Sequence, residues 1–211
     1  MKKILLLATV LLVAGSVSAQ TYFNGDRADY NEYYQPRWGF EAAANLSSVS
    51  PGENFNTRTL TGFSAGFNLD LPVSYPFSIV PALLYSQKGF TATTPSGDYS
   101  QRMQTAELPI LARFRSGNIF SFYFGPQVSY IMSTTNTFNG NFSSAIRQHY
   151  QYGGASVNYQ GVLGAGVDVT PSFNLHARYA FDLSGVGAHG DSAYVPTYHG
   201  HMFQLGFGIN I

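Results

Sequence analysis

The sequence contains no cysteine and few charged residues. Without cysteine, disulfide bonds, thiolate nucleophiles and cysteine-based metal sites are excluded. Charged residues make up 10% of the 211 residues, against about 25% in an average soluble domain. After the first 19 residues the acids slightly outnumber the bases, which gives no reason to propose a nucleic acid partner. Low charge together with 16% aromatic residues is typical of a protein whose outer wall contacts lipid.

Long apolar runs are also scarce, and the clearest one lies at the N-terminus. Two lysines precede the apolar segment 4–14, and small residues lead up to Ala19. This arrangement is typical of a secretory signal peptide, and the run is shorter than the roughly 20 residues that a spanning helix needs. We therefore predict a signal peptide at 1–19, a flexible periplasmic N-terminal tail at 20–36 and one domain at 37–211.

The rest of the chain is dominated by segments in which apolar residues alternate with small or polar ones. In the last segment, Phe203, Leu205 and Phe207 fall on one face, while Gln204 and Gly206 fall on the other. Alternation with a period of two indicates β-strands. Eight strands are predicted, at Arg37–Leu46, Leu60–Leu71, Phe77–Lys88, Gln101–Arg115, Ile119–Met132, Val157–Thr170, Phe173–Leu183 and Met202–Ile211.

The connections between these strands alternate between short and long. Short turns are predicted at 72–76, 116–118 and 171–172, and long loops at 47–59, 89–100, 133–156 and 184–199. This pattern is typical of outer-membrane barrels, whose short turns are periplasmic, and closure avoids unpaired backbone groups in hydrocarbon. The fold class predicted is all-β, an eight-stranded antiparallel transmembrane up-and-down β-barrel in the bacterial outer membrane.

Most of the scarce charge falls on the inner face of these strands. Isolated charges in a narrow lumen would be costly, so a paired structural network is predicted that fills the lumen, with a polar conduit or ligand site as the alternative. Glycines at 62, 66, 161, 164, 166, 206 and 208 are expected to make room for long neighbours. The network comprises Glu41, Asp70, Lys88, Glu107, Arg113, Asp168, Arg178 and Asp182, with Arg37 and Arg115 at strand ends.

Aromatic and apolar residues are assigned to the outer face. The aromatic residues near strand ends are expected to form interfacial girdles, and Leu69 is placed among the lipid-facing residues of the second strand. The girdle residues are Trp38, Phe40, Tyr85, Phe120, Tyr123, Tyr130, Tyr159 and Tyr179.

Candidate chemistry is sparse. His189, His199 and His201, with Asp191, could bind a metal, but no metal motif is complete, so neither metal nor cofactor is expected. His176 lies on the inner face with Asp182, which leaves a Ser-His-acid set open as in a lipid-modifying barrel enzyme. No Gly-x-Ser-x-Gly segment frames a nucleophile, and we expect no enzymatic activity.

Four segments carry a family resemblance: 81–89 (PALLYSQKG), 107–114 (ELPILARF), 124–126 (FGP) and 204–208 (QLGFG). Because these segments occur in this order, the chain resembles the outer-membrane β-barrel family common in Bacteroidetes-type bacteria, which includes PorT-like proteins. It departs from the family at Ala82, where an acid is frequent, and at the terminal Ile211, where many barrels have an aromatic residue. The resemblance implies the barrel architecture and, for PorT-like members, a link to protein secretion across the outer membrane.

The predicted function is a structural or interaction role, with loops 133–156 and 184–199 contacting partners because loops on a rigid frame carry binding. The expected partners are outer-membrane lipid and a periplasmic or extracellular protein, with the barrel as a monomer. Three alternatives stay open: a PorT-like accessory component of secretion acting through the tail 20–36, a lipid-modifying enzyme and a small pore.

Overall fold

A computed structural model describes residues 35–50, 56–94, 97–117, 119–140, 143–150, 157–170, 172–183 and 199–211. The predicted signal peptide, most of the predicted tail and the loop around His189 lie outside these residues. None of the described residues forms a helix of the length and hydropathy needed to span a membrane.

The described chain forms nine antiparallel strands, and eight of them close into a barrel. The closed order is β1-β2-β3-β4-β5-β7-β8-β9, and β9 pairs back onto β1 from Gly39↔Asn210 to Val49↔Gly200. The prediction of an eight-stranded antiparallel barrel is therefore confirmed. The strands are β1 (Arg37–Val49), β2 (Asn56–Ser74), β3 (Phe77–Thr94), β4 (Gly97–Ser116), β5 (Phe120–Gly140), β6 (Ser143–Tyr150), β7 (Val157–Thr170), β8 (Phe173–Asp182) and β9 (Gly200–Asn210).

The two ends of the barrel differ. One end holds both ends of the described chain and the short connections from β2 to β3, from β4 to β5 and from β7 to β8; we call it the short-turn end. The opposite, long-loop end has a wall of unequal height. There β5 runs ten residues past Tyr130, its last pairing with β7, which adds about 30 Å of strand.

The strand bounds correct the prediction at the long-loop end. Much of the predicted loop 89–100 is a continuation of β3 and β4, and the predicted loop 133–156 contains the end of β5 together with β6, which pairs only with β5 among the described strands. These residues lack the apolar alternation on which the sequence argument relied. Outside lipid no such alternation is required, and threonine-rich segments favour strands in water as well.

The facing of the side chains follows the alternation, with two corrections. Leu69 keeps the outward register opposite Trp38 but is only 7% exposed, because an outward position does not guarantee exposure beside a larger side chain. Gly161 was counted with the lumen glycines, but it lies on the outer face opposite Phe181. The Phe181 ring covers it, since a Cβ at Gly161 would lie 2.6 Å from the Cζ of that ring.

Gly125 marks a close approach of two strands. A Cβ there would lie 2.2 Å from the Ile110 carbonyl oxygen and 3.0 Å from the Leu111 Cα. These atoms belong to the backbone, so neither can move aside without shifting β4. Only glycine allows the two strands to pack this closely.

We expect Gly125→Ala to lower the free energy of unfolding by about 3 kcal/mol, because overpacking against backbone is not relieved by a rotamer change. The measurement is urea unfolding of the protein folded into lipid vesicles. Gly117→Ala is the control: Gly117 has a φ of 67° and no atom within 4 Å of its Cβ position, so only conformational strain of about 1 kcal/mol is expected. Equal losses in the two variants would contradict the argument.

Candidate functional site

The lumen is the chemically distinctive region of the described chain. Each residue of the predicted network lies on the inner face of its strand, and the set forms several layers along the barrel axis rather than one cluster. From the short-turn end, the charged members are Asp70, Arg113 and Asp168, then Glu41 and Arg178, then Lys88 and Glu107, and last Asp182.

The layer nearest the short-turn end is organised by Arg113. Its Nη1 lies 3.0 Å from Asp70 Oδ2, and its Nη2 lies 2.6 Å and 2.7 Å from the two oxygens of Asp168. The Ser121 hydroxyl accepts from Nε and Nη2 at 3.1 Å and 3.0 Å. Arg115 also donates to Asp70. One buried guanidinium thus joins β2, β4, β5 and β7 across the lumen.

The central layer is a bidentate ion pair between Arg178 and Glu41. Nη1 lies 2.6 Å from Oε1 and Nη2 lies 3.0 Å from Oε2, while Asn68 donates to Oε2 at 2.8 Å. Glu41 and Arg178 are 3% and 5% exposed. Two parallel charge-assisted bonds fix both side chains, and the pair holds β8 against β1 and β2.

Tyr123 lies between these two layers and corrects the sequence assignment. It was predicted for the outer aromatic girdle, but it points into the lumen and is 4% exposed. Its ring centroid lies 5.5 Å from the Arg113 Cζ and 5.3 Å from the Arg178 Cζ, so cation–π contacts separate two like charges. Since Phe122 and Phe124 face outward, alternation places residue 123 inward; this signal was present in the sequence.

The third layer surrounds Lys88. Its Nζ lies 3.2 Å from Glu107 Oε1, 2.7 Å from Ser129 Oγ and 3.5 Å from Gln160 Oε1. Gln127 donates to the same Gln160 oxygen at 2.8 Å. All three donors of the ammonium group are therefore used, which is the condition for burying a lysine at low cost.

Asp182 lies at the long-loop end. One carboxylate oxygen accepts from the Asn158 and Gln160 side chains at 2.6 Å and 2.7 Å, and the other accepts from the Gly200 backbone N–H at 2.7 Å. Asp182 therefore fixes the end of β8 to the beginning of β9.

Uncharged polar side chains complete the lumen, and the sequence argument, which counted charges, did not single them out. Asn45 is an example: it donates to Ser86 and accepts from Ser64 and Gln204. The alternating pattern could have identified them. The buried polar set includes Asn45, Ser47, Ser64, Asn68, Ser86, Thr105, Gln127, Ser129, Asn158, Gln160, Asn174 and Gln204.

Apolar side chains close the lumen towards the long-loop end. Four of them, with polar residues that include Ser47, Asn158 and Asp182, border a small cavity of about 30 Å³ above Lys88, large enough for about two water molecules. At the short-turn end a wider cavity of about 430 Å³ is bordered by Arg37, Asp70, Arg115 and Asp168. The buried apolar residues at the long-loop end are Val49, Phe90, Met103, Ile131 and Met202.

The candidate catalytic set is not brought together. His176 is buried in the lumen, and its ring nitrogen Nδ1 lies 3.3 Å from the Asn174 side-chain oxygen. Asp182 is six residues further along the same strand, roughly 20 Å away, and is occupied by the three donors described above.

The candidate metal residues are only partly described. The His201 ring packs against Tyr179, with centroids 6.3 Å apart, and His199 is exposed. Within the described part of the chain no group of three or more possible ligands is close enough to hold a metal ion. His189 and Asp191 lie outside the described residues.

Comparison with known proteins points to one family. The model of a family described as "Outer membrane protein beta-barrel domain" matches residues 23–186, whereas no curated protein matches the sequence. The attachment invasion locus protein Ail of Yersinia pestis has 12% identity and a TM-score of 0.51, covering 84% of this chain and 99% of Ail. Neisserial surface protein A has 16% identity and a TM-score of 0.51, covering 82% of this chain and 97% of that protein.

Proposed function

The chain belongs to the outer membrane protein β-barrel domain family and resides in the bacterial outer membrane, and we propose that it is a monomeric, non-enzymatic scaffold that presents an extracellular surface to a protein partner. Short turns of such barrels are periplasmic, so the long-loop end faces the cell surface. The observation that carries the proposal is the unequal wall: β2 to β5 continue beyond the level at which β7, β8, β9 and β1 end.

The filled lumen favours a scaffold function rather than a pore. Charge layers cross the barrel at Arg113, Arg178 and Lys88, and apolar side chains narrow the lumen above them beside Asp182. An ion would have to separate a buried ion pair and then cross apolar side chains, and both steps are costly. The lumen therefore stiffens the wall that carries the extracellular strands.

The proposal of a non-enzymatic scaffold is supported by the distance between His176 and Asp182, which is too long for a Ser-His-acid triad. A lipid-modifying enzyme would also need its nucleophile and base at the lipid-facing rim, whereas His176 is 3% exposed inside the lumen. In this proposal the buried polar residues stabilise the barrel and take no part in chemistry.

A PorT-like accessory role in secretion is the second candidate. It is favoured by the cavity of about 430 Å³ at the periplasmic end, beside Arg37, where the predicted tail 20–36 joins β1. A cavity of this size is in the range of ligand pockets and could receive a segment of a periplasmic partner.

Complementation of a strain that lacks the protein separates the two candidates. Deleting residues 135–153 leaves the pairing of β5 with β7 intact, so we expect a heat-modifiable barrel in the outer membrane that fails to restore binding of extracellular protein to the cell surface. Deleting 20–36 is the matched control and should restore it fully. Both variants and the full protein should give no channel conductance in planar bilayers.

The opposite pattern would favour the second candidate: loss of protein secretion on deletion of 20–36, with full activity on deletion of 135–153. Full activity of both variants would contradict both candidates. Channel conductance by the full protein would contradict the stiffening role of the lumen.

A further inference from the structure

The basic side chains of the described wall are divided unevenly between its faces. Of the lysines and arginines whose side chains are described, five line the lumen. The other two, Arg58 and Arg102, are exposed on the outer face. The acids with described side chains, Glu41, Asp70, Glu107, Asp168 and Asp182, all belong to the lumen. Among the residues whose side chains are described, the outer wall thus carries two arginines and no acid.

Strand register brings the two arginines onto one side of the barrel. Arg58 on β2 pairs with Thr91 on β3, which pairs with Ser100 on β4. Arg102 is two residues from Ser100 on β4 and therefore lies on the same face. The two guanidinium groups project from β2 and β4, with β3 between them.

Their height above the apolar band matches the region of the lipid head groups. Arg102 lies four residues beyond Ala106, the last outward apolar residue of β4. Arg58 lies five residues beyond Phe63 on β2, and an irregularity between Thr59 and Ser64 adds one residue to β2, so that Arg58 stays on the outer face opposite Thr91. With a strand tilt of about 40°, this places both Cα atoms roughly 10–13 Å above the band. The head-group layer is about 5–8 Å deep, and a long arginine side chain can reach back into it.

Between the arginines and the membrane, outward residues on neighbouring strands pair into rows, which we call rungs. These rungs suit an amphipathic ligand. The rung nearest the membrane pairs Tyr85 with Ala106 and Ala106 with Tyr130. The next pairs Gln87 with Gln104 and Gln104 with Ser133, so amide groups follow the aromatic rings. Going away from the membrane, the face changes from tyrosine to neutral hydrogen-bonding groups and then to guanidinium groups.

We propose that Arg58 and Arg102 form a binding site for the phosphate groups of a phosphorylated glycolipid in the outer leaflet. Guanidinium groups bind phosphate through two parallel charge-assisted hydrogen bonds. The glutamine rung would contact the sugar, and Tyr85 and Tyr130 would lie at the boundary with the acyl chains. The site is one-sided, because no outward lysine or arginine occurs at the described positions of β7, β8, β9 and β1.

Native mass spectrometry of the purified protein with lipid A tests this site. The protein is equilibrated with bisphosphorylated lipid A or with the same lipid after phosphatase treatment, and the retained adduct is measured. We expect the intact protein to prefer the phosphorylated lipid. Arg58→Gln and Arg102→Gln should each lower that preference about five-fold, the effect of roughly one basic residue near a membrane surface.

Two controls separate charge and geometry from general damage. Val157→Gln changes an uncharged residue on the outer face of β7, away from both arginines, and should leave the preference unaltered. Arg58→Lys with Arg102→Lys keeps the charge and should retain part of it, since lysine cannot bind phosphate bidentately. Each single variant is first checked for the heat-dependent gel shift of a folded barrel. Equal binding of the two lipids, or an unchanged preference in folded Arg58→Gln and Arg102→Gln variants, would overturn the proposal.

Discussion

Replacing Arg178 with methionine should lower the free energy of unfolding by about 3–5 kcal/mol, the usual cost of removing one partner from a buried ion pair. Both terminal nitrogens of Arg178 donate hydrogen bonds to Glu41, which lies 137 residues away in the chain. The variant would leave the Glu41 carboxylate 3% exposed with Asn68 as its nearest donor. The measurement is equilibrium unfolding by urea in lipid vesicles, followed by Trp38 fluorescence.

The double variant Glu41→Gln with Arg178→Met is the control for this prediction. Glutamine keeps the hydrogen bond from Asn68 while it removes the uncompensated charge, so the double variant should be more stable than Arg178→Met alone. Phe122→Ala, on the lipid-facing side, shows how much any loss of side-chain volume costs. If Arg178→Met and the double variant unfold at the same urea concentration, the uncompensated charge is not the source of the loss.

The central ion pair also illustrates where sequence reasoning ends. Alternation placed Glu41 and Arg178 on the inner face, because side-chain direction in a strand is a local property. It could not show that they pair with each other. The partner across a barrel depends on strand tilt and on the stagger between strands, and both are determined by the register of all eight strands together.

The long-loop end shows a second limit. Apolar alternation identifies a strand only where one of its faces contacts lipid. The fifth strand was therefore predicted to end at Met132, whereas β5 continues to Gly140. There is also a register shift beside Gln104, where β4 and β5 lose their one-to-one pairing. Irregularities of this kind have no signature in a two-residue period. The outer face of β4, including Arg102, nevertheless follows the alternation throughout.

Tyr123→Ala should cost about 3–5 kcal/mol of stability, as large aromatic truncations in packed interiors do. The ring fills the space between Arg113 and Arg178 and also lies against Gly166, where a Cβ would come within 3.1 Å of it. Truncation leaves a cavity and lets two guanidinium groups face each other with no π-system between them. Urea unfolding in lipid vesicles again gives the measurement.

Two further substitutions show whether the loss comes from the ring between the two guanidinium groups or from removing any aromatic side chain of β5. Tyr123→Phe keeps the ring between the two guanidinium groups and should cost no more than about 1 kcal/mol, the net contribution of a single hydrogen bond. Phe122→Ala removes a ring of similar size from the next position, but that side chain is 50% exposed on the lipid face, where acyl chains can fill the space. A loss in Tyr123→Ala no larger than that in Phe122→Ala would mean that the lumen tolerates a void between its charge layers. The ion pairs alone would then hold the barrel interior together.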